Sequence, residues 1–262
     1  QFYNAAAELK AKGYGIVSGD GDIWHAVENS SDKGWIVDGK LNIDPKREEF
    51  LDLSKKLKDN GYHNDTQDWQ DAWFADMKGE GAQQIFGFFG PAWLINYTLA
   101  PNCGGEKVGE GTYGDWAVCE PPIGFFWGGT WICAAQDTDN ASLVKDIMLK
   151  MTTDDDVMKD IVLDDDDFVN NNTVMNGLAD GSIKAKDGKE YSSKILGGQN
   201  PLSMYCAGVE TLDLSNISAY DQGCNEEFQK AMKNYFEGKA TKDEALELFY
   251  KGVTEKYPEL TY

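Results

Sequence analysis

Two glycine turns carry the aromatic residues best placed to hold a ligand. Gln84-Ile85-Phe86-Gly87-Phe88-Phe89-Gly90-Pro91-Ala92-Trp93 reads as a buried strand running into a Gly-Pro turn that presents Trp93. Phe125-Phe126-Trp127-Gly128-Gly129-Thr130-Trp131 repeats the theme, and Trp24 follows the polar turn Gly19-Asp20-Gly21-Asp22. Rings at loop tips line clefts more readily than rings at helical spacing, and α/β sheets open their clefts at strand ends. A flat aromatic face suits the flat apolar face of a sugar. Trp69 and Trp73 fall at i and i+4 with Met77 at i+8 and are expected in the core, as are Trp35 and Trp116 in core or hairpin positions.

Other chemistries are less well supplied. Acidic residues are so numerous that carboxylate pairs arise by chance, so a glycosidase pair does not follow from their presence. Asp22 and Glu120 each stand beside an aromatic turn, where accepting hydroxyl protons is the simpler role. Asp164-Asp165-Asp166-Asp167 lacks the alternating ligands, central glycine and terminal glutamate of an EF-hand loop and reads as a solvated loop or helix start. There is no GxSxG, no Cys–His signature and no P-loop, and Gly128-Gly129-Thr130 lacks the lysine of a phosphate cradle. Gly197-Gly198-Gln199-Asn200 is too short for a dinucleotide fingerprint. His25 and His63 are the two histidines, and the five cysteines show no metal spacing. No metal or cofactor is therefore expected. Cys103 and Cys119 bracket a Gly-rich insert and are able to bridge if the compartment is oxidising, the pairing being left open, whereas Cys133 reads as a small core residue.

Composition narrows the partners. A chain of 262 residues with net charge −21 repels nucleic acid, anionic membranes and acidic ligands. No apolar run approaches the roughly 20 residues of a spanning helix.

The elements that must position the rings are mostly helical. Phe2 to Lys12 places Ala5, Ala6 and Leu9 on one face and ends at Gly13; Gly15 to Gly19 is strand-like. Trp35 to Lys40 reads as a hairpin turning at Asp38-Gly39. Asp44 caps and Pro45 opens a helix with Phe50, Leu53 and Leu57 inward, ended by Asn60-Gly61. Asp115 to Val118 and Thr130 to Ala135 read as strands, and Pro121-Pro122 must leave regular structure. Ala141 to Met151 aligns Leu143, Ile147 and Met151 on a helix, and Asp154-Asp155-Asp156 begins another. Glu226 to Phe236 is helical, and Thr241 to Glu244 is a capping box before a last helix. Alternating strands and helices imply an α/β fold with short sheets.

Taken in order, these motifs resemble the extracellular solute-binding proteins of carbohydrate ABC importers (family 1, maltose-binding-protein-like). The matching pieces are Ala5 to Gly13, Asp22-Ile23-Trp24, Asp44 to Tyr62, Met77-Lys78-Gly79-Glu80 leading to Gly87 through Trp93, Asp115 to Val118 with Pro121-Pro122, Gly128 to Ile132, and Tyr235 through Tyr257-Pro258. In the family a tryptophan often follows Gly-Pro directly; here Ala92 intervenes.

The resemblance implies a helix-rich, type II periplasmic-binding-protein-like α/β fold that lacks the family's opening segment. It implies mainly the C-terminal lobe, from 1–130 and 177–262, with 131–176 returning to the first lobe. It implies a non-enzymatic, monomeric protein that holds a carbohydrate, expected to be an oligosaccharide, in an inter-lobe cleft. That protein delivers it to the membrane subunits of an ABC permease, and is lipid-anchored on the outer face of the membrane or periplasmic. The implied ligand-facing positions are Asp22, Trp24, Trp93, Trp127, Gly128, Tyr220 and Asp221. Trp93 is the main platform, Trp24, Trp127 or Tyr220 flank it, and Asp22 and Asp221 accept hydroxyl protons. A glycoside-active enzyme with a carboxylate pair and a β-sandwich adhesion module are the competing readings.

Overall fold

The computed structural model describes residues 1–121 and 123–262; Pro122, half of the Pro121-Pro122 pair, lies outside the described residues. Along the chain come α1 (Phe2–Ala11), β1 (Tyr14–Gly15), a 3-10 turn (Asp20–Ile23), α2 (Trp24–Ser30), β2 (Ile36–Val37), β3 (Lys40–Leu41), α3 (Pro45–Asp59), α4 (Asp71–Lys78) and β4 (Gln84–Ile85). A π-helical turn (Ile95–Leu99) then runs into the short α5 (Ala100–Asn102). Helices α6 (Ala141–Thr153), α7 (Asp155–Asp165), α8 (Asn172–Asp180), α9 (Leu202–Glu210), α10 (Asp221–Phe236) and α11 (Lys242–Lys256) complete it. With two-residue strands only, the described residues exclude a β-sandwich module. No helix of the described residues is long and apolar enough to cross a membrane.

The chain divides into two compact units. Unit 1 is 1–70, 82–89 and 212–262; unit 2 is 71–81 and 90–211.

Local signals explain much of unit 1. Asp44 Oδ1 accepts from Lys46 N at 2.9 Å and its other oxygen from Lys33 N at 3.0 Å, so the cap also fixes the preceding loop. Asp38 and Gly39 both take positive φ, 51° and 78°, as a two-residue hairpin between β2 and β3 requires. Thr241 and Glu244 close the capping box of α11, which buries Ala245, Phe249 and Val253. Trp35, Phe228 and Phe249 stack at the centre, with Arg47 3.9 Å over the Trp35 ring and Trp35 Nε1 donating to Asn225 Oδ1.

The sheet of unit 1 is a small parallel ribbon. β1 pairs with β4 in register Tyr14↔Gln84, and Val17 bridges His63 in parallel on the other side. Loops 18–23 and 64–70 both leave the C-terminal ends of these segments. A Cβ at Gly19 would lie 2.0 Å from the Thr66 carbonyl, so glycine is what lets the two loops pack backbone to backbone.

Unit 2 packs Met158 and Val162 of α7 against Val174, Met175 and Leu178 of α8, Tyr191 and Leu202 of α9. Asp154 caps α7 through Val157 N at 3.0 Å. The Asp164–Asp167 run is a helix end, not a helix start: Asp166 sits at φ 51° and accepts from Tyr191 Oη at 2.5 Å and Ser193 Oγ at 2.8 Å.

Several sequence expectations fail here. Residues 115–118 and 130–135 are irregular, not strands. Val118 instead pairs with a side chain: its N–H donates to Gln199 Oε1 and its carbonyl accepts from Gln199 Nε2, at 2.7 and 2.8 Å. All five cysteines are free: Cys103 is buried and Cys119 exposed, and Cys133 is exposed, not core. The α6 helix forms as read, and its stripe of Leu143, Ile147 and Met151 is exposed, with no buried residue on the helix.

Candidate functional site

The seven implied ligand positions divide between the units: Asp22, Trp24, Tyr220 and Asp221 on unit 1, Trp93, Trp127 and Gly128 on unit 2.

In unit 2 the Gly90–Trp93 segment is a tight turn, with Leu94 N donating to Pro91 O at 3.0 Å and Ile95 N to Ala92 O at 3.2 Å. A Cβ at Gly90 would fall 2.1 Å from Leu94 Cδ2, so glycine is needed where the turn folds back on its own helix. The turn delivers Trp93 edge-to-face with Trp127, ring centroids 6.2 Å apart and planes at 65°. Trp127 comes from a loop anchored at Gly124, whose N–H donates to Thr211 Oγ1 at 2.8 Å and whose Cβ position is 1.8 Å from the Gly208 carbonyl. Beyond Trp127 the backbone turns through Gly128 and Gly129, φ 69° and 153°, with open space around both. Phe126 meets Trp131 at 6.2 Å, and Trp131 is 70% exposed. The structure thus brings the half-buried rings of Trp93 and Trp127 together, with the exposed Gly128 beside them.

In unit 1 two expectations are corrected. Trp24 is 1% exposed and lies inside the core, stacked on Trp35 at 6.3 Å and against Phe50 and Phe228 at 5.0 and 5.3 Å. It opens helix α2, and that helix turns its ring inward. Asp22 is fully buried, and its Oδ2 accepts from Ser18 N at 2.7 Å and Gly19 N at 3.2 Å. Its charge is spent on the turn's own amides, which leaves it shaping the loop instead of greeting a hydroxyl. Tyr220 packs its ring at 88° to Tyr257, 5.1 Å away, in space that Gly223 leaves open, and its hydroxyl pKa is raised by a hydrogen bond to Glu259. Asp221 opens α10 and accepts from Ser218 Oγ at 2.6 Å.

A residue misread from the sequence also stands at the ribbon's C-terminal edge. Trp69 is not on a helix: α4 begins at Asp71 and buries Trp73 and Met77, while Trp69 takes φ 67° and is 46% exposed. The turn-forming run Asn64-Asp65-Thr66-Gln67-Asp68 before it was the available signal. Its neighbour Asp68 seats its carboxylate against Gly21, where an added Cβ would be 2.9 Å from Oδ2. Burial raises the Asp68 pKa, opposed by the charge of His25.

Among the described residues, one trio has metal-ligand character: Asp20, His63 and Asp65. His63 Nδ1 accepts from Asp65 N at 2.9 Å, which leaves Nε2 to carry the proton of the neutral ring, facing Asp20 Oδ1 at 3.3 Å. That tautomer offers a cation no lone pair.

No family model matches the sequence, and no curated protein matches it. In structure the chain is similar to an extracellular solute-binding protein of family 1 (TM-score 0.75, 14% identity), covering 97% of this chain and 62% of that one. It is also similar to the ABC transporter associated binding protein from B. animalis subsp. lactis Bl-04, solved in complex with beta-1,6-galactobiose (TM-score 0.60, 19% identity), covering 100% of this chain and 67% of that one. The resemblance read from the ordered motifs holds at the level of architecture: this chain has the helix-rich fold of an extracellular solute-binding protein, and spans 62% of the length of the first of these relatives.

Proposed function

We propose that the protein is the substrate-binding component of an ABC importer, holding a carbohydrate of oligosaccharide size in a cleft between two lobes and passing it to the permease without chemistry. The observation that carries this reading is the Trp93–Trp127 pair beside the open Gly128-Gly129 turn. One ring stacks on a sugar face while the other, nearly perpendicular, walls the ring edge, and the glycines let the backbone approach the hydroxyls. Tyr220 and Asp221 are proposed to supply a hydroxyl and a carboxylate to the ligand; Asp22 and Trp24 hold their own loop from within. The galactobiose bound by one structural relative supports a neutral sugar as the ligand class. The proposal includes a monomer, lipid-anchored on the outer face of the membrane or periplasmic.

The lobes belong to the same proposal. The segment 131–176 returns to the first lobe, and the apolar α6 face, with Leu143 59% and Ile147 50% exposed, is then surface for that lobe to cover. An enzymatic reading gains nothing from Asp22, whose carboxylate is already engaged by Ser18 and Gly19.

Calorimetric titration with β-1,6-galactobiose and a panel of neutral di- to tetrasaccharides tests the reading. Binding that saturates at one site and falls at least 100-fold in Trp93→Ala is the expected result. Absence of binding across the panel, or turnover of the bound sugar, would refute it.

A further inference from the structure

The glycine-rich stretch after Cys103 builds a cavity that the sugar reading does not use. One wall is the π-helical turn Ile95–Leu99, which buries Ile95, Thr98 and Leu99 but leaves Asn96 half-buried and Tyr97 59% exposed. Such turns are rare and occur frequently at functional sites. The other wall is the loop 103–114, which closes on itself: Thr112 N donates to Cys103 O at 2.8 Å and Tyr113 N to Glu110 O at 3.0 Å. A Cβ at Gly105 would lie 2.2 Å from Glu110 Cβ, so glycine is what admits that closure. The buried Cys103 ties the walls together, its Sγ lying 3.1 Å from Ala100 O on the first and 3.3 Å from Gly105 O on the second. Between them, wholly within unit 2, lies a cavity of about 470 Å³, the size of a small-molecule pocket.

The lining selects a charge. Tyr97 and Tyr113 supply aromatic surface, Ala100 and Pro101 apolar surface, Asn96 an amide and Glu106 a carboxylate, while no lysine, arginine or histidine lines the cavity. Glu106 enters no ion pair among the described residues, and its N–H donates to Glu110 Oε2 at 3.2 Å, which fixes the backbone from which its side chain springs. Burial raises the pKa of the Tyr113 hydroxyl, and the charges of Asp166 and Glu106 raise it further, so this wall stands in a negative field. Aromatic faces attract cations through their quadrupole, and a carboxylate beside them adds a full opposite charge. A net charge of −21 also draws cations to the protein and repels anions. We infer that this cavity binds a small organic cation, an ammonium group carried on an apolar body, with Tyr97 and Tyr113 against the cationic head and Glu106 as its counter-charge. The site goes beyond the sugar reading and does not rest on it.

Calorimetry at fixed ionic strength tests it with choline, with tetramethylammonium and with dimethylbutanol, the uncharged carbon isostere of choline. Both ammonium ions are expected to saturate one site of the parent, and dimethylbutanol to bind at least tenfold more weakly than choline. Tyr97→Ala removes an exposed ring and Glu106→Gln keeps the shape without the charge. Each is expected to weaken choline binding at least fivefold at an unchanged melting temperature; should Tyr97→Ala melt lower, Glu106→Gln alone decides. Absence of saturable binding by either ammonium ion overturns the inference. Equal binding of dimethylbutanol and choline overturns it as well, since the cavity would then select apolar bulk and not charge. Choline affinity within twofold of the parent in Glu106→Gln places the cation elsewhere and overturns it too. Titration of the same parent with neutral sugars bears only on the Trp93–Trp127 reading, so the two stand or fall separately.

Discussion

At the scale of single residues, burial decides which member of a suggestive pair does chemistry. Asp22 and Asp68 both stand beside glycine turns on the same ribbon edge. Asp22 collects two backbone amides, so its charge is stabilised where it lies. For Asp68 the largest influence is desolvation, which raises its pKa, and His25 offsets part of it. A raised folded-state pKa means the ionised form is penalised on folding. That penalty is complete above the folded pKa, shrinks as pH falls below it, and vanishes under the ordinary value of 3.8, where folded and unfolded chains are both protonated. Asp68→Asn removes the ionisable group and keeps the shape. It is expected to raise thermal stability at neutral pH and to lose that advantage as pH approaches 3.8, in melting curves of both proteins across the range. A gain that persists unchanged at low pH would mean that charge burial is not its source.

Elements were legible in the sequence where their signals are local. The cap at Asp44, the turn at Asp38-Gly39 and the box at Thr241-Glu244 each fix an element from within a few residues, and each forms as read. The fold class was legible through the order of such pieces. Strands were legible only in part: those at Gly15 and Gln84 form and pair, but those read at 115–118 and 130–135 do not, because a strand exists only with a partner that sequence does not name. At 115–118 the alternation of Trp116 and Val118 was real, yet the partner is the Gln199 amide, which imitates one rung of a ladder. Trp69 shows the converse error. Its helical spacing to Trp73 and Met77 is accidental, since the helix starts two residues later. Of the candidate site, Trp93 and Trp127 both stand in glycine turns, and the structure brings their rings together. Trp24 was misread because a helix beginning at the ring itself turns it inward. Gln199→Ala tests the rung: it leaves the N–H and C=O of half-buried Val118 to water. A loss of about 1–2 kcal/mol in denaturant unfolding is expected; an unchanged midpoint would show that the amide contributes nothing.

For the whole molecule, charge sets the dominant long-range term. With 45 acidic and 24 basic side chains, no arrangement of ion pairs cancels the excess. Many of the pairs that do form are local and exposed, such as Lys150–Asp154, Lys159–Asp156 and Lys251–Glu255, and these contribute little each. The remaining carboxylates repel one another more strongly in the folded units than along an extended chain, so folding carries an electrostatic cost. Salt reduces it: the Debye length shortens from about 30 Å at 0.01 M to about 8 Å at 0.15 M, which screens distant charges more than a local pair. The protein is therefore expected to melt several degrees higher at 0.15 M sodium chloride than at 0.01 M, with most of the rise complete by 0.5 M. Screening acts on unlike pairs as well, so the sign of the shift is informative. A melting temperature that falls with salt would mean that attractive networks outweigh the net repulsion, and that the excess acidity is stored where the fold has made use of it.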